Sequence, residues 1–176
     1  MKRLTLITLI MITAAAGLIA MQPTPVKVSG AAGYLNSDRI DRAPVSLVIF
    51  GAIIDLTHPA ETGTGAWTPN GHPDVQAVSA HSYADGHYFY YLKVGDFVTA
   101  KMTDGTTRKY VVSRIEYLPK ADENYYLFGG KSTSRFDILA SVAVPDGIVL
   151  HTCWSENAGL GQVLGGIFIV LAPLPF

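Results

Sequence analysis

After residue 21 the hydrophobic positions of this chain come in short, β-branched runs separated by long polar connections. Val45 to Leu56 is one such run, broken by Gly51, and predicts one kinked strand or two short ones. Thr57 to Pro73 reads as loop, with Pro59, Gly63, Gly65 and a Pro69-Asn70-Gly71 turn signal. A short strand is expected over Val75 to His81. The aromatic-rich stretch from Ser82 to Leu92 suits a turn and a short helix that packs its rings under a sheet. Val94 to Leu118 carries the clearest signal: Phe97–Met102 and Lys109–Ile115 flank Thr103-Asp104-Gly105-Thr106, whose Asp-Gly pair suits the positive φ angles of a tight hairpin. Pro119 to Ser134 is loop-rich, and Phe136 to Val144 fits either a strand or a short helix. Gly147 to Cys153 and Gly166 to Ala172 complete the set as apolar strands. Many short strands with long connections predict a mostly β domain, a small barrel or sandwich.

The N-terminus has a different character. Lys2 and Arg3 precede Leu4 to Met21, 18 residues without a charge, which is near the length that spans a bilayer. Residues 1–21 therefore read as a signal anchor or a cleaved signal peptide; the weak small-residue cleavage candidates favour the anchor. Either places the remainder outside the cytoplasm. Residues 22–43, with Pro23, Pro25, Gly30 and Gly33, have linker composition, leaving 44–176 as one folded domain. A formal net charge of -1 gives no basis for electrostatic capture of nucleic acid. No metal site or cofactor is expected, since the isolated acidic pair Asp122 and Glu123 reads as solvated.

Cys153 is the single cysteine, at the end of an apolar strand and followed by Ser155-Glu156-Asn157-Ala158-Gly159. A lone thiol forms no internal disulfide and cannot alone build a structural zinc site. It is a buried apolar thiol, an intermolecular link or a nucleophile. A nucleophilic thiol needs an imidazole nearby, because its unperturbed pKa of about 8.5 leaves it largely protonated at neutral pH. Of the five histidines, His58, His72 and His87 fall in loops or turns. His151 lies two residues before Cys153, on the same strand face and roughly 6 to 7 Å away. His81 ends the apolar segment Val78-Ser79-Ala80. Local reasoning leaves His81 and His151 as close competitors.

The segment Val149-Leu150-His151-Thr152-Cys153 resembles the Thr-Leu-x-Thr-Cys signature of sortases, the membrane-anchored cysteine transpeptidases of bacterial surfaces. Leu150, Thr152 and Cys153 match, whereas Val149 replaces the first threonine. Ala80-His81-Ser82 resembles the family's histidine segment, with Ala80 in place of glycine. Leu92-x-x-Gly95-Asp96, Tyr110-x-Val112 and Pro44-x-x-Leu47-x-Ile49 resemble further family positions, in the family's order. The resemblance implies an eight-stranded closed β-barrel with short helices in loops, and it raises His81 above His151. It further implies that Cys153 attacks the Thr-Gly bond of a Leu-Pro-x-Thr-Gly-like sorting signal on a surface protein. His81 then protonates the leaving amine, and Thr152 contributes contacts near the acyl oxygen. An amine of peptidoglycan precursor or pilin resolves the thioacyl enzyme, and Leu150 and Trp154 border the substrate groove. The expected location is the cell membrane, crossed once, with the catalytic domain outside.

One family feature is missing. Sortases carry an arginine on the closing strand, and here Gly165 or Gly166 stands in its place, with no Lys or Arg in the 41 residues after Arg135. Gln162, Arg114 and Arg135 are the candidate substitutes for the oxyanion donor. The alternatives are a sortase-fold module that binds peptides or proteins without catalysis, and a cysteine hydrolase in which water resolves the acyl enzyme.

Overall fold

The computed structural model describes residues 27–28, 43–57, 64–69, 72, 74–123, 125–157 and 160–175. The expected membrane segment, residues 1–21, lies outside them, as does nearly all of the stretch read as linker. Among the described residues no helix is long and apolar enough to cross a membrane.

Eleven strands are described: β1 (Lys27–Val28), β2 (Pro44–Ile49), β3 (Ala52–Asp55), β4 (Gly65–Trp67), β5 (Gln76–Ala80), β6 (Phe97–Met102), β7 (Thr107–Pro119), β8 (Tyr125–Phe128), β9 (Lys131–Ser134), β10 (Ile148–Asn157) and β11 (Leu160–Pro173). A 3-10 helix covers Asp85–Tyr91, and one α-helix, α1, covers Arg135–Val142. Nine strands form one sheet in the order β1-β3-β2-β6-β7-β11-β10-β5-β4, while β8 and β9 pair with each other.

The expected closed eight-stranded barrel is corrected by this order: the sheet is a half-barrel, open between β1 and β4. Its edge strands have two and three residues. Ladders that short offer few backbone hydrogen bonds with which to close a barrel.

Local chemistry accounts for the elements. The run from Val45 to Leu56 splits into β2 and β3 at Phe50-Gly51, which have φ of 52° and 83°, as a two-residue hairpin turn requires. Gly105, at φ 82°, turns β6 into β7 as the Asp-Gly pair predicts. The undecided segment after Ser134 is a helix, because the Ser134 hydroxyl accepts from the backbone N–H of Asp137 and caps its first turn.

Two apolar layers sit on opposite faces of the sheet. The inner one gathers Leu47, Ile54, Val78, Phe89, Val98, Leu150, Ile167 and Ile169. In the outer one, α1 and the β8–β9 hairpin cover the sheet through Ile138, Leu139, Val142 and Tyr126, against Ala77, Val149, Phe168 and Val170. Burying each such aliphatic chain contributes about 1.5–3 kcal/mol, enough to hold the short helix in place. Strand alternation then decides every side chain of β10: even-numbered residues through Trp154 face the inner layer, and Val149, His151 and Cys153 face the outer one.

Candidate active site

The half-buried Cys153 lies opposite Gly166 in the β10–β11 ladder. On its other side β10 runs parallel to β5, from Ile148 opposite Gln76 to Thr152 opposite Ala80. The next residues of these two strands are Cys153 and His81. Alternation along β10 carries the Cys153 side chain to the outer face, whereas His81 follows the last rung and its carbonyl accepts from the N–H groups of Ala84 and Gly86 in a turn. The exposed His81 ring stacks on Tyr83, with centroids 5.0 Å apart and planes 10° from parallel. The ladder therefore ends one residue short of both the thiol and the histidine that the resemblance selected.

His151 occupies the same face but is built as a core residue. It is 3% exposed, and its ring lies 4.8 Å from that of Phe168. Its Nε2 is 3.4 Å from the Tyr126 hydroxyl. Burial, aided by the charge of Arg135, lowers its pKa to about 3, so the ring is neutral.

Burial pushes the Cys153 thiol up, and Lys120 and then Arg135 oppose that rise. At neutral pH the sulfur is thus mostly a thiol, and any reaction as a nucleophile would require removal of its proton. Lys120 extends β7 and is bridged to Tyr126. Arg135 opens α1, with its guanidinium carbon 5.5 Å from the ring centroids of both Trp67 and Phe136. The indole N–H of Trp67 donates to Ser79 Oγ at 2.9 Å, which ties this cluster to β5 two residues before His81.

The other candidate residues separate. Arg114 pairs with Val170, four positions along β11 from Gly166, where it donates to the carbonyl of Val142 at 3.1 Å and faces Glu116 at 3.6 Å. The structure does not bring it to Cys153. Gln162 lies exposed beyond the β10–β11 irregularity, lining a shallow depression with Lys120, Asp122 and Glu123. Leu150, expected at the groove, is instead fully buried in the inner layer, because its strand position points it away from Cys153. Trp154 also packs toward that layer and sets its ring edge-on to Tyr117 at 5.9 Å. Thr152 is wholly buried with its hydroxyl against Gly86, so that hydroxyl cannot reach an acyl oxygen on the outer face.

Two residues of this region had no sequence signal. Tyr90, from the 3-10 helix, donates its hydroxyl to the carbonyl of Cys153 at 2.5 Å and accepts from the N–H of Ser155 at 3.0 Å. Tyr126 lies over Gly166: a Cβ at that glycine would stand 2.9 Å from Tyr126 Cε1, 2.9 Å from Phe168 Cε2 and 3.2 Å from His151 Nε2. The space above residue 166 is filled by rings.

An open, mostly β half-barrel in which β10 pairs with both β5 and β11 defines the class of fold. The fold is that of the sortase family. Sortase A from Corynebacterium diphtheriae superimposes with a TM-score of 0.50 at 18% identity, over 77% of this chain and 62% of that one. Sortase C-1 from Actinomyces oris gives 0.49 at 19% identity, over 78% and 77%. Sortase C1 from Streptococcus agalactiae gives 0.47 at 16%, over 77% and 70%. No protein-family model and no curated protein matches the sequence.

Proposed function

We propose that this chain is a sortase-type cysteine transpeptidase, held at the membrane by its N-terminal segment and acting outside the cytoplasm. It cleaves a Leu-Pro-x-Thr-Gly-like sorting signal through a thioacyl enzyme. The acyl group then passes to an amine of cell-wall precursor or pilin. The observation that supports this is the β5–β10 register, whose last rung, Thr152 opposite Ala80, comes one residue before Cys153 and His81 on the two strands. Cys153 gives its proton to His81 as its sulfur attacks the threonine carbonyl, and His81 returns that proton to the departing glycine amine. Lys120 and Arg135 favour the thiolate that forms during attack. Substrate approaches over the outer face, between the end of β5 and the β8–β9 hairpin.

The test is a thioacyl adduct. The full chain in detergent micelles, mixed with Leu-Pro-x-Thr-Gly-type peptides, is expected to gain the mass of the acyl fragment on Cys153. Cys153→Ala should gain none, and His81→Ala should acylate far more slowly. No adduct with any peptide, while iodoacetamide still alkylates the thiol, favours the second reading, a non-catalytic peptide-binding module of the same fold. That reading draws on the raised thiol and on the two glycines at 165 and 166.

A further inference from the structure

We propose that the Tyr126 hydroxyl is the donor that stabilises the oxyanion formed when Cys153 attacks, taking over the task of the absent closing-strand arginine. This rests on the acyl-transfer function proposed above and names the group that completes its site. Three observations lead to it. First, the position is closed to an arginine: a Cβ at Gly166 would press on Tyr126, Phe168 and His151, all of them buried. Second, the occupant carries a hydrogen-bond donor. Tyr126 is 7% exposed, its ring stands edge-on to Phe168 at 5.4 Å, and it lies on the outer face above the residue paired with Cys153. Third, its hydroxyl has a defined neighbour, His151 Nε2 at 3.4 Å, in a ring that is neutral at working pH.

The neutral ring makes the donor usable. In its Nε2–H tautomer His151 donates to the phenol oxygen, which leaves the phenol proton free to point toward the carbonyl on Cys153. Burial and the nearby Cys153 raise the phenol's pKa, so it keeps its proton. In the step itself, the sulfur–carbon bond forms and the carbonyl π pair moves onto oxygen, which accepts a hydrogen bond from Tyr126. No proton is transferred to that oxygen. On collapse the carbonyl re-forms, the carbon–nitrogen bond breaks, and the amine leaves with the proton from His81. A phenol is a neutral donor, and it serves here because the rings around it exclude the water that would compete.

The test compares wild type and Tyr126→Phe as full chains, using fluorogenic Leu-Pro-x-Thr-Gly peptides for acylation and iodoacetamide for alkylation. Alkylation develops no oxyanion. The expected result is a fall in acylation on the order of 10²–10³-fold in Tyr126→Phe, carried by kcat, with alkylation unchanged. Equal acylation in the two proteins overturns the proposal, and so does a parallel loss of acylation and alkylation, which would mark a structural role. A wild type that alkylates but never acylates overturns the transpeptidase function itself, and this assignment with it. Replacement of Tyr126 by 3-fluorotyrosine keeps the hydroxyl and the packing while making the phenol more acidic. It should acylate faster than wild type, and an unchanged rate would again overturn the proposal.

Discussion

Tyr90 and Cys153 are 63 residues apart in sequence, and the tyrosine hydroxyl donates to the cysteine carbonyl at 2.5 Å. The contact falls where β5 has ended and β10 continues, with Thr152 opposite Ala80 as the last rung. The same hydroxyl accepts from the N–H of Ser155, so one oxygen satisfies two backbone groups that a longer β5 would have paired. Tyr90→Phe should therefore cost about 1–3 kcal/mol, the range for leaving such groups unpaired. Urea unfolding of the two proteins measures this. A midpoint equal to wild type would show that the hydroxyl does not hold the strand.

Restoring the family's arginine should fail. In Gly166→Arg the new side chain would start among Tyr126, Phe168 and His151, and rearranging a packed cluster costs about 1–3 kcal/mol or more. We expect a lowered melting temperature and no gain in acylation. A stable Gly166→Arg protein with faster acylation would show that the rings above this glycine yield easily.

His151 sets a pH dependence of stability. Its folded pKa is about 3, against an ordinary value of 6.5 in the unfolded chain. Above pH 6.5 the ring is neutral in both states and contributes no slope. Between 6.5 and 3 the unfolded chain binds the extra proton, so stability falls as pH drops, by about 2 kcal/mol from pH 7 to pH 5. Asp85 acts oppositely: burial raises its folded pKa above 3.8, and stability is lost as pH rises through that window. The difference between wild type and His151→Gln in urea midpoints at pH 7 and pH 5 isolates the histidine. A constant difference across that interval would contradict a neutral, buried ring.

Lys120 and Arg135 both hold down a thiol that burial raises, Lys120 more strongly. Lys120→Gln and Arg135→Gln should each slow iodoacetamide alkylation of Cys153 at pH 8, with the larger effect at 120. Mass-spectrometric alkylation rates against pH would locate the midpoint in each protein. A midpoint unmoved in both variants would remove these cations from the site.

Periodicity made the sheet legible where contacts are local. The β6–β7 hairpin announces itself through Asp104-Gly105, and the β2–β3 turn through the break at Gly51. The pairing of β5 with β10 cannot be read that way, since parallel neighbours leave no turn between them; family order, not pattern, selected His81. The loop-rich stretch after Pro119 hid the β8–β9 hairpin, although Phe128-Gly129-Gly130-Lys131 carries a turn signal, with φ of 57° and 78° at the glycines. Tyr126 carries no sequence signal of its own, since the space its ring fills is opened by the absence of a side chain 40 positions later, at Gly166. The resemblance puts Leu150 and Thr152 at the site with Cys153, but alternation turns them to the other face.

The sheet carries the cysteine, with His81 one residue past the end of β5, whereas Lys120, Tyr126 and Arg135 belong to the end of β7 and the layer laid over it. On the proposed function, bond-making atoms and charge-stabilising atoms thus reside on separate pieces of backbone. On the proposed function, the covering segment could change its length or chemistry, and with it the peptides admitted, while the ladders of β10 with β5 and β11 still hold the thiol in place. In such an arrangement selectivity can diverge between relatives long before reactivity does.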